Sequence, residues 1–403
     1  MNKIIILKIL LILIILFVSG QIFPEKIPEP FNPGPPLNTP EDDFAPSVTE
    51  DGTTMVFNSK RSGNQDIYIT NFKNGRWSDP SPISELNSQF TDQTPYISND
   101  GTLIIFSSDR DESKTLHINN NAYVSFDIYI SGFENGKWSH PVHIPGAVNT
   151  TDHEEAPSLS PDGQTLYFTR RKFGKNTKTV IMKSELKNAL FTGGTPMPSP
   201  INTGNSERGL IEADDGFYFS SYRPGGFGDS DIYFVPKKNG ELGEAVNLGP
   251  FVNSDRAEFF YTKKDYTAFF CSSRKNENNP TDRFDIYRAS FDIPATYFDF
   301  NSSLIKNESV QILNDVVQFM KKNKNMKFEI TGHTDLHGSE EYNNKLSLNR
   351  ARSVEKYLIS KGLSKKQFRI RGAGMSEPVK NGTGKGFDEY NRRTEFRFLG
   401  FIR

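Results

Sequence analysis

A single cysteine, Cys271, stands in a chain of 403 residues, so no disulfide can form within it and its stability has to come from packing. No cysteine follows the apolar start of the chain either, which excludes a lipid anchor on a cysteine there. Histidine is scarce, at six residues. The sequence contains neither a Gly-x-Ser-x-Gly elbow nor a His-Glu-x-x-His helix, the usual marks of serine hydrolases and zinc peptidases. Apolar residues make up only 35% of the chain. After Val18 no stretch approaches the roughly 20 apolar residues that a membrane-spanning helix takes.

The first residues form the longest apolar run. Lys3 and Lys8 give a basic start, Ile9 to Val18 is unbroken, and Val18-Ser19-Gly20 supplies small or permissive residues. This reads as a secretory signal over residues 1–20, cleaved near Gly20, and so as an exported, periplasmic protein. An uncleaved anchor starting at Ile4 is the alternative. The net charge of -1 hides two regions of opposite sign. Residues 294–403 carry 20 Lys and Arg against 12 Asp and Glu, a balance of +8; the remainder comes to -9. Two such surfaces suggest two partners. The basic one favours an anionic polymer.

Between residues 41 and 291 the chain repeats itself. Asp-Gly recurs at Asp51-Gly52, Asp100-Gly101, Asp162-Gly163 and Asp215-Gly216, with Asp265 as a degenerate fifth. Each is followed by an aromatic segment: TTMVFNSKR, TLIIFSSDR, QTLYFTRRK, FYFSSYR and TAFFCSSR. Four of the five continue into Asp-Ile-Tyr, at Asp66, Asp127, Asp231 and Asp285. Repeats of this length with several strands each are what propeller blades look like. The fifth repeat lacks its final portion, and residues 31–46 look like that missing part, so they are expected to close the ring. The insertion ESKTLHINNNAYVS reads as a surface loop. The repeated aspartates are expected to bond locally, within their own blades. Asp229 and Asp231 lack the spaced oxygen ligands of a calcium loop. These blades resemble the propeller repeats of the TolB family, a resemblance that speaks to fold more than to function.

At Asp292-Ile293-Pro294 the pattern changes. Thr296–Phe300 and Lys327–Thr331 read as strands, Glu308–Lys322 and Glu340–Ser360 as helices, and FRIRGAG and TEFRF as two further strands. The expected whole is multidomain: residues 21–40 as an N-terminal segment, an all-β propeller of five or six blades over 41–292, and an α+β domain of order βαβαββ over 293–403. The motif TGHTDLHGSEEYNNKLSLNRARSVEKYL, with YFDFNSSLI before it and GAGMSEP and NRRTEFRF after it, resembles the C-terminal peptidoglycan-binding domain of the OmpA family. The resemblance implies that Asp335 and Arg350 clamp diaminopimelate of the stem peptide. It carries over Asn301, Tyr342, Asn343, Leu346 and Arg393 as supporting residues.

The chemistry is sensible without the resemblance. The free end of diaminopimelate bears an ammonium and a carboxylate on one carbon. A carboxylate and a planar guanidinium a few ångströms apart suit that zwitterion. The plain alternative is that Asp335 and Arg350 pair only with each other. His333 and His337 have no third ligand in view, and no metal or cofactor is expected. The function expected is a non-catalytic envelope protein. Its basic domain would hold peptidoglycan and its propeller would meet another envelope protein, with outer-membrane association indirect and no nucleic acid involved. A propeller enzyme acting on wall glycans or peptides, and a wall-anchoring component of a secretion or motility machine, are the competing readings. An acidic cluster at the propeller's central mouth would favour the enzyme.

Overall fold

A computed structural model describes residues 30–118, 121–173, 177–264, 267–275, 279–291, 293–378 and 385–402. The signal read over residues 1–20 and the degenerate Asp265 lie outside them. The described residues divide into two compact units, with the division between Ser290 and Phe291.

Among the described residues the first unit holds five antiparallel blade sheets and one separate two-stranded sheet, so the blades number five. Their inner strands are Asp43–Val48, Asp92–Ile97, His153–Leu159, Glu207–Ala213 and Glu258–Lys264. The aromatic repeat segments form the second strands, such as Thr54–Ser59 and Leu103–Ser108, and are buried on both faces between neighbouring blades. That is why they read as continuous apolar runs rather than alternating ones. The third strands begin at the Asp-Ile-Tyr triplets, or at Thr179 in blade 3.

Five-fold repetition extends to the polar contacts. An amide at the start of the inner strand donates to the preceding blade in four cases: Asp92 to Gln65 O at 3.0 Å, Glu154 to Phe126 O at 2.7 Å, Glu258 to Ser230 O at 2.8 Å, and Asp43 to Phe284 O at 2.8 Å. The last of these joins blade 5 to blade 1. Asn38 donates to Ile286 O and accepts from Ile286 N, as Asn87 does with Ile67, Asn149 with Ile128, Asn202 with Ile181 and Asn253 with Ile232. Phe31 forms an antiparallel bridge to Arg288 on the outer edge of blade 5. The N-terminal segment thus fills the position that the fifth repeat lacks, and it covers an edge strand that would otherwise expose unpaired backbone.

An arginine at or near the end of each aromatic segment has a structural role. Arg61, Arg110, Arg170, Arg223 and Arg274 reach the buried carboxylates Asp43, Asp92, Glu154, Glu207 and Glu258 at 2.7, 2.5, 2.7, 3.8 and 3.2 Å. Each guanidinium also lies over an aromatic ring of its own blade. A buried carboxylate without such a partner would be costly. The Asp-Ile-Tyr aspartates bond locally: Asp127 accepts from Lys114 N and Ser125 Oγ, and Asp231 from Phe227 N and Gly228 N.

One feature of the propeller differs from the sequence reading. The insertion is not a loop but a hairpin, Thr115–Ile118 paired with Asn121–Val124. Its threonine, valine and tyrosine content suits strands. On the propeller axis, the cavity lined by Ala45, Pro95, Ala156, Leu210, Phe260 and Tyr261, among others, measures about 20 Å³. That space holds about one water and no sugar or peptide. Its lining shows no acidic cluster.

In the second unit, strands β1 (Ile293–Tyr297), β2 (Met326–Gly332), β3 (Phe368–Gly372) and β4 (Arg393–Phe401) form a sheet in the order β1-β4-β2-β3. Helix α1 spans Asn307–Lys322 and buries Leu313, Val316, Val317 and Met320. Helix α2 spans Glu340–Ser360 and buries Ala351, Val354 and Leu358. A short helix α3, Lys385–Asn391, stands between the last two strands, so the order is βαβαβαβ rather than βαβαββ. Strand β1 stops at Tyr297, not Phe300. The chain turns there, and Phe298-Asp299-Phe300 enters the loop that borders the candidate site.

Candidate ligand-binding site

The site arises where β2 ends against the first half of α2. Gly332 closes the strand, and a Cβ there would lie 1.9 Å from Ser347 O on α2. Gly372, beside it on β3, is similarly close to Leu348 N. Only glycine permits this approach of helix backbone to strand ends. It brings the buried face of α2 under the loop that follows β2. Ser339 caps the helix by accepting from Tyr342 N, and Glu340 and Glu341 in the first turn suit the positive end of its dipole.

Arg350 is 1% exposed although it carries a charge. Its guanidinium donates to three backbone carbonyls from two separate loops: Ser302 O at 2.8 Å, His333 O at 2.7 Å and Asp299 O at 3.1 Å. It also lies over the Phe298 ring, 5.3 Å from its centroid. No carboxylate pairs with it among the described residues. Burial pushes its pKa down to about 10, opposed by the nearby Asp335 carboxylate.

Asp335 is 4% exposed. One carboxylate oxygen accepts from His337 N and the other from Arg392 Nη1, each at 3.2 Å. The simple salt bridge between Asp335 and Arg350 is therefore not the arrangement found. The two charges are neighbours with separate partners, and both line one cavity of about 270 Å³. Asn301, Tyr342, Asn343 and Leu346 line it too, with Phe300, Thr334, His337 and Gly338. Asn343 donates to His337 O at 2.9 Å and so holds the loop that presents Asp335. Tyr342 Oη donates to Asn301 Oδ1, which ties the helix to the facing loop. Asn301 has φ 51°, a left-handed conformation that asparagine tolerates better than most residues.

Arg393, expected as a wall of the site, lies elsewhere. It is 2% exposed, bonds Glu395 at 2.5 Å and donates to Glu377 O. Its neighbour Arg392 is the residue that reaches Asp335. Successive residues entering a strand point to opposite faces, so only one of the two arginines can turn toward the cavity. The tandem pair itself gave no sign of which. His333 and His337 diverge: His333 Nε2 faces Glu395 at 3.6 Å, and His337 Nε2 faces Asp388 at 3.2 Å. Among the described residues no group of three or more His, Cys, Asp or Glu side chains is placed to hold a metal.

A cavity presenting one buried cation and one buried anion, each with lone pairs or N–H groups to spare, suits a small zwitterion. Comparison with known proteins agrees in position. The family model described as OmpA family matches residues 297–392. The peptidoglycan-associated lipoprotein of Buchnera aphidicola is 34% identical over 144 residues, which cover 36% of this chain and 81% of that protein. Outer membrane protein A of Bordetella avium is 39% identical over 106 residues, covering 26% of this chain but only 54% of its own length. The crystal structure of TolB from Acinetobacter baumannii is similar at 17% identity and a TM-score of 0.32, covering 50% of this chain and 44% of that one.

Proposed function

We propose that this chain, which belongs to the OmpA family, is a non-catalytic protein of the bacterial envelope that holds peptidoglycan through the cavity between Asp335 and Arg350. The observation that carries the reading is the buried Arg350 guanidinium, anchored by three neutral carbonyls and not neutralised by a carboxylate. A diaminopimelate end would bring its carboxylate to that guanidinium and its ammonium to Asp335. Tyr342, Asn301 and Leu346 would border the rest of the stem peptide. A ligand this small supports modest affinity at one site. Repeated stems on one wall polymer would still retain the protein by rebinding.

The propeller is proposed to meet another envelope protein. Its axial cavity, at about 20 Å³, does not hold a wall fragment. The export signal read over residues 1–20 would deliver the protein to the periplasm, where any outer-membrane association would run through the wall or a partner.

The test is sedimentation of the full chain with insoluble diaminopimelate-type peptidoglycan, alongside Asp335→Asn and competition by free diaminopimelate. A lysine-type wall serves as control, because lysine lacks the second carboxylate. Sedimentation that needs Asp335, is competed away and fails with the lysine-type wall is expected. Equal sedimentation with both walls would refute the clamp.

A further inference from the structure

The end of the second unit opposite the cavity carries a concentration of positive charge that the wall-binding reading does not use. Lys321 and Lys322 close α1, and Lys324 follows in the turn before β2. Lys361 caps α2, and Lys365 and Lys366 lie in the one-turn helix that leads into β3. All six are exposed. The fold brings their segments together: a Cβ on Gly362 would be 3.9 Å from Lys321 Cε, and Gln367 Nε2 donates to Met320 O at 3.4 Å.

No acid interrupts this charge in the sequence. Residues 316–328 and 356–376 contain no Asp or Glu. Among the described residues, the Lys and Arg ion pairs of this unit use other cations, namely Lys306, Arg369, Arg371, Arg392 and Arg393. Helix dipoles account for Lys321 and Lys322, which lie in the last turn of α1. They do not account for Lys324, Lys365 or Lys366, which lie outside any α-helix. Among the lysines, Ile359 is 37% exposed, and the Tyr357 ring lies 5.3 Å from Lys361 Nζ.

We infer that this lysine end is a contact surface for a bilayer rich in anionic phospholipids. The six cations are all ammonium groups on flexible stems. Point charges of that kind hold a mobile layer of monovalent phosphates without a fixed register, whereas planar guanidinium groups suit bidentate recognition of a defined site. The exposed isoleucine and the tyrosine beneath Lys361 suit the boundary between headgroups and acyl chains. Position adds to this, resting on the proposed wall-binding function. The cavity lies at the C-terminal end of β2 and the first half of α2, and the lysines at the opposite ends of both. Helix α2 alone, at 21 residues, is about 32 Å long. A domain holding the wall at one end would present the lysines away from it, toward a membrane.

The experiment is co-sedimentation of the full chain with phosphatidylcholine vesicles, with and without phosphatidylglycerol. It is run at about 0.1 M and about 1 M salt, between which the screening length falls from about 10 to about 3 Å. Binding to the anionic vesicles alone, with release at high salt, is expected. Each lysine near such a surface is worth about fivefold in affinity, so K321Q/K322Q/K365Q/K366Q should weaken binding several hundredfold, on the order of five multiplied four times. The same variant should sediment with peptidoglycan as wild type does. Equal binding to neutral vesicles, no binding to anionic ones, or undiminished binding by the variant would overturn the inference. Wild type that binds anionic vesicles but not peptidoglycan would leave this surface standing and remove the clamp.

Discussion

Replacing Arg350 separates its structural role from its role in binding. In Arg350→Ala, His333 O loses its donor at a place that water reaches poorly, which costs about 1–3 kcal/mol. Asp299 O and Ser302 O belong to a loop that solvent touches, so their loss is closer to about 0.5 kcal/mol each. The space left by the side chain adds on the order of 1 kcal/mol. The sum is about 3–5 kcal/mol. With a urea dependence of about 1–2 kcal/mol per molar, the midpoint of this unit should fall by about 1.5 M or more. The molecule supplies its own probes. Trp77 and Trp138, the only two tryptophans, lie in blades 1 and 2, so tryptophan fluorescence follows the propeller. The α-helices of the described residues all lie in the second unit, so far-UV circular dichroism at the helix band follows that unit. Arg350→Ala should shift the helix transition and leave the fluorescence transition in place. Arg350→Lys, which keeps the charge but donates from one nitrogen instead of three, should fall between it and wild type. A helix midpoint within about 0.5 M of wild type would refute the claim that the three carbonyls depend on this guanidinium.

Arg110→Ala removes the partner of Asp92, which is 0% exposed, and should destabilise the propeller by about 3–5 kcal/mol, read by tryptophan fluorescence in urea. Asn38→Ala breaks both bonds to Ile286 and should cost about 1–3 kcal/mol in the same assay, with no change in the helix transition. Burial, opposed by Glu395, holds the His333 imidazole below its usual pKa, so the unfolded chain binds the proton more readily than the folded one. The stability of the second unit should therefore be fully present above about pH 6.5 and decline as pH falls below it. His333→Phe should flatten that decline; an unchanged slope between neutral and mildly acid pH would show that another group carries it.

Much of the propeller was legible because its signals are local and repeated. A tight-turn Asp-Gly, an aromatic segment and an Asp-Ile-Tyr each declare a strand or its end, and four or five copies of each reinforce one another. The arginine clasps were present in the same strings, as the final residue of SKR, SDR and SYR, but an arginine after a strand ordinarily reads as solvated. Its partner lies 16 to 18 residues earlier in the chain, and only pairing of the first two strands brings them together. The hairpin of Thr115–Ile118 and Asn121–Val124 went unread because it interrupts the repeat and has no counterpart in the other blades.

The sequence by itself determined the two-part organisation, the blade repeat, the second unit's main helices and strands, and the residue types around one small site. Those follow from periodicity, turn chemistry and a linked series of motifs, all of which act over short stretches of chain. Only the tertiary structure decided that Asp335 and Arg350 do not neutralise each other, that Arg392 and not Arg393 supports Asp335, and that lysines from three separate segments share one end. Each depends on which face of a helix or strand meets which loop. That is set by close approach at Gly332 and Gly372 and by the register of β4 against β2, neither of which any local pattern encodes.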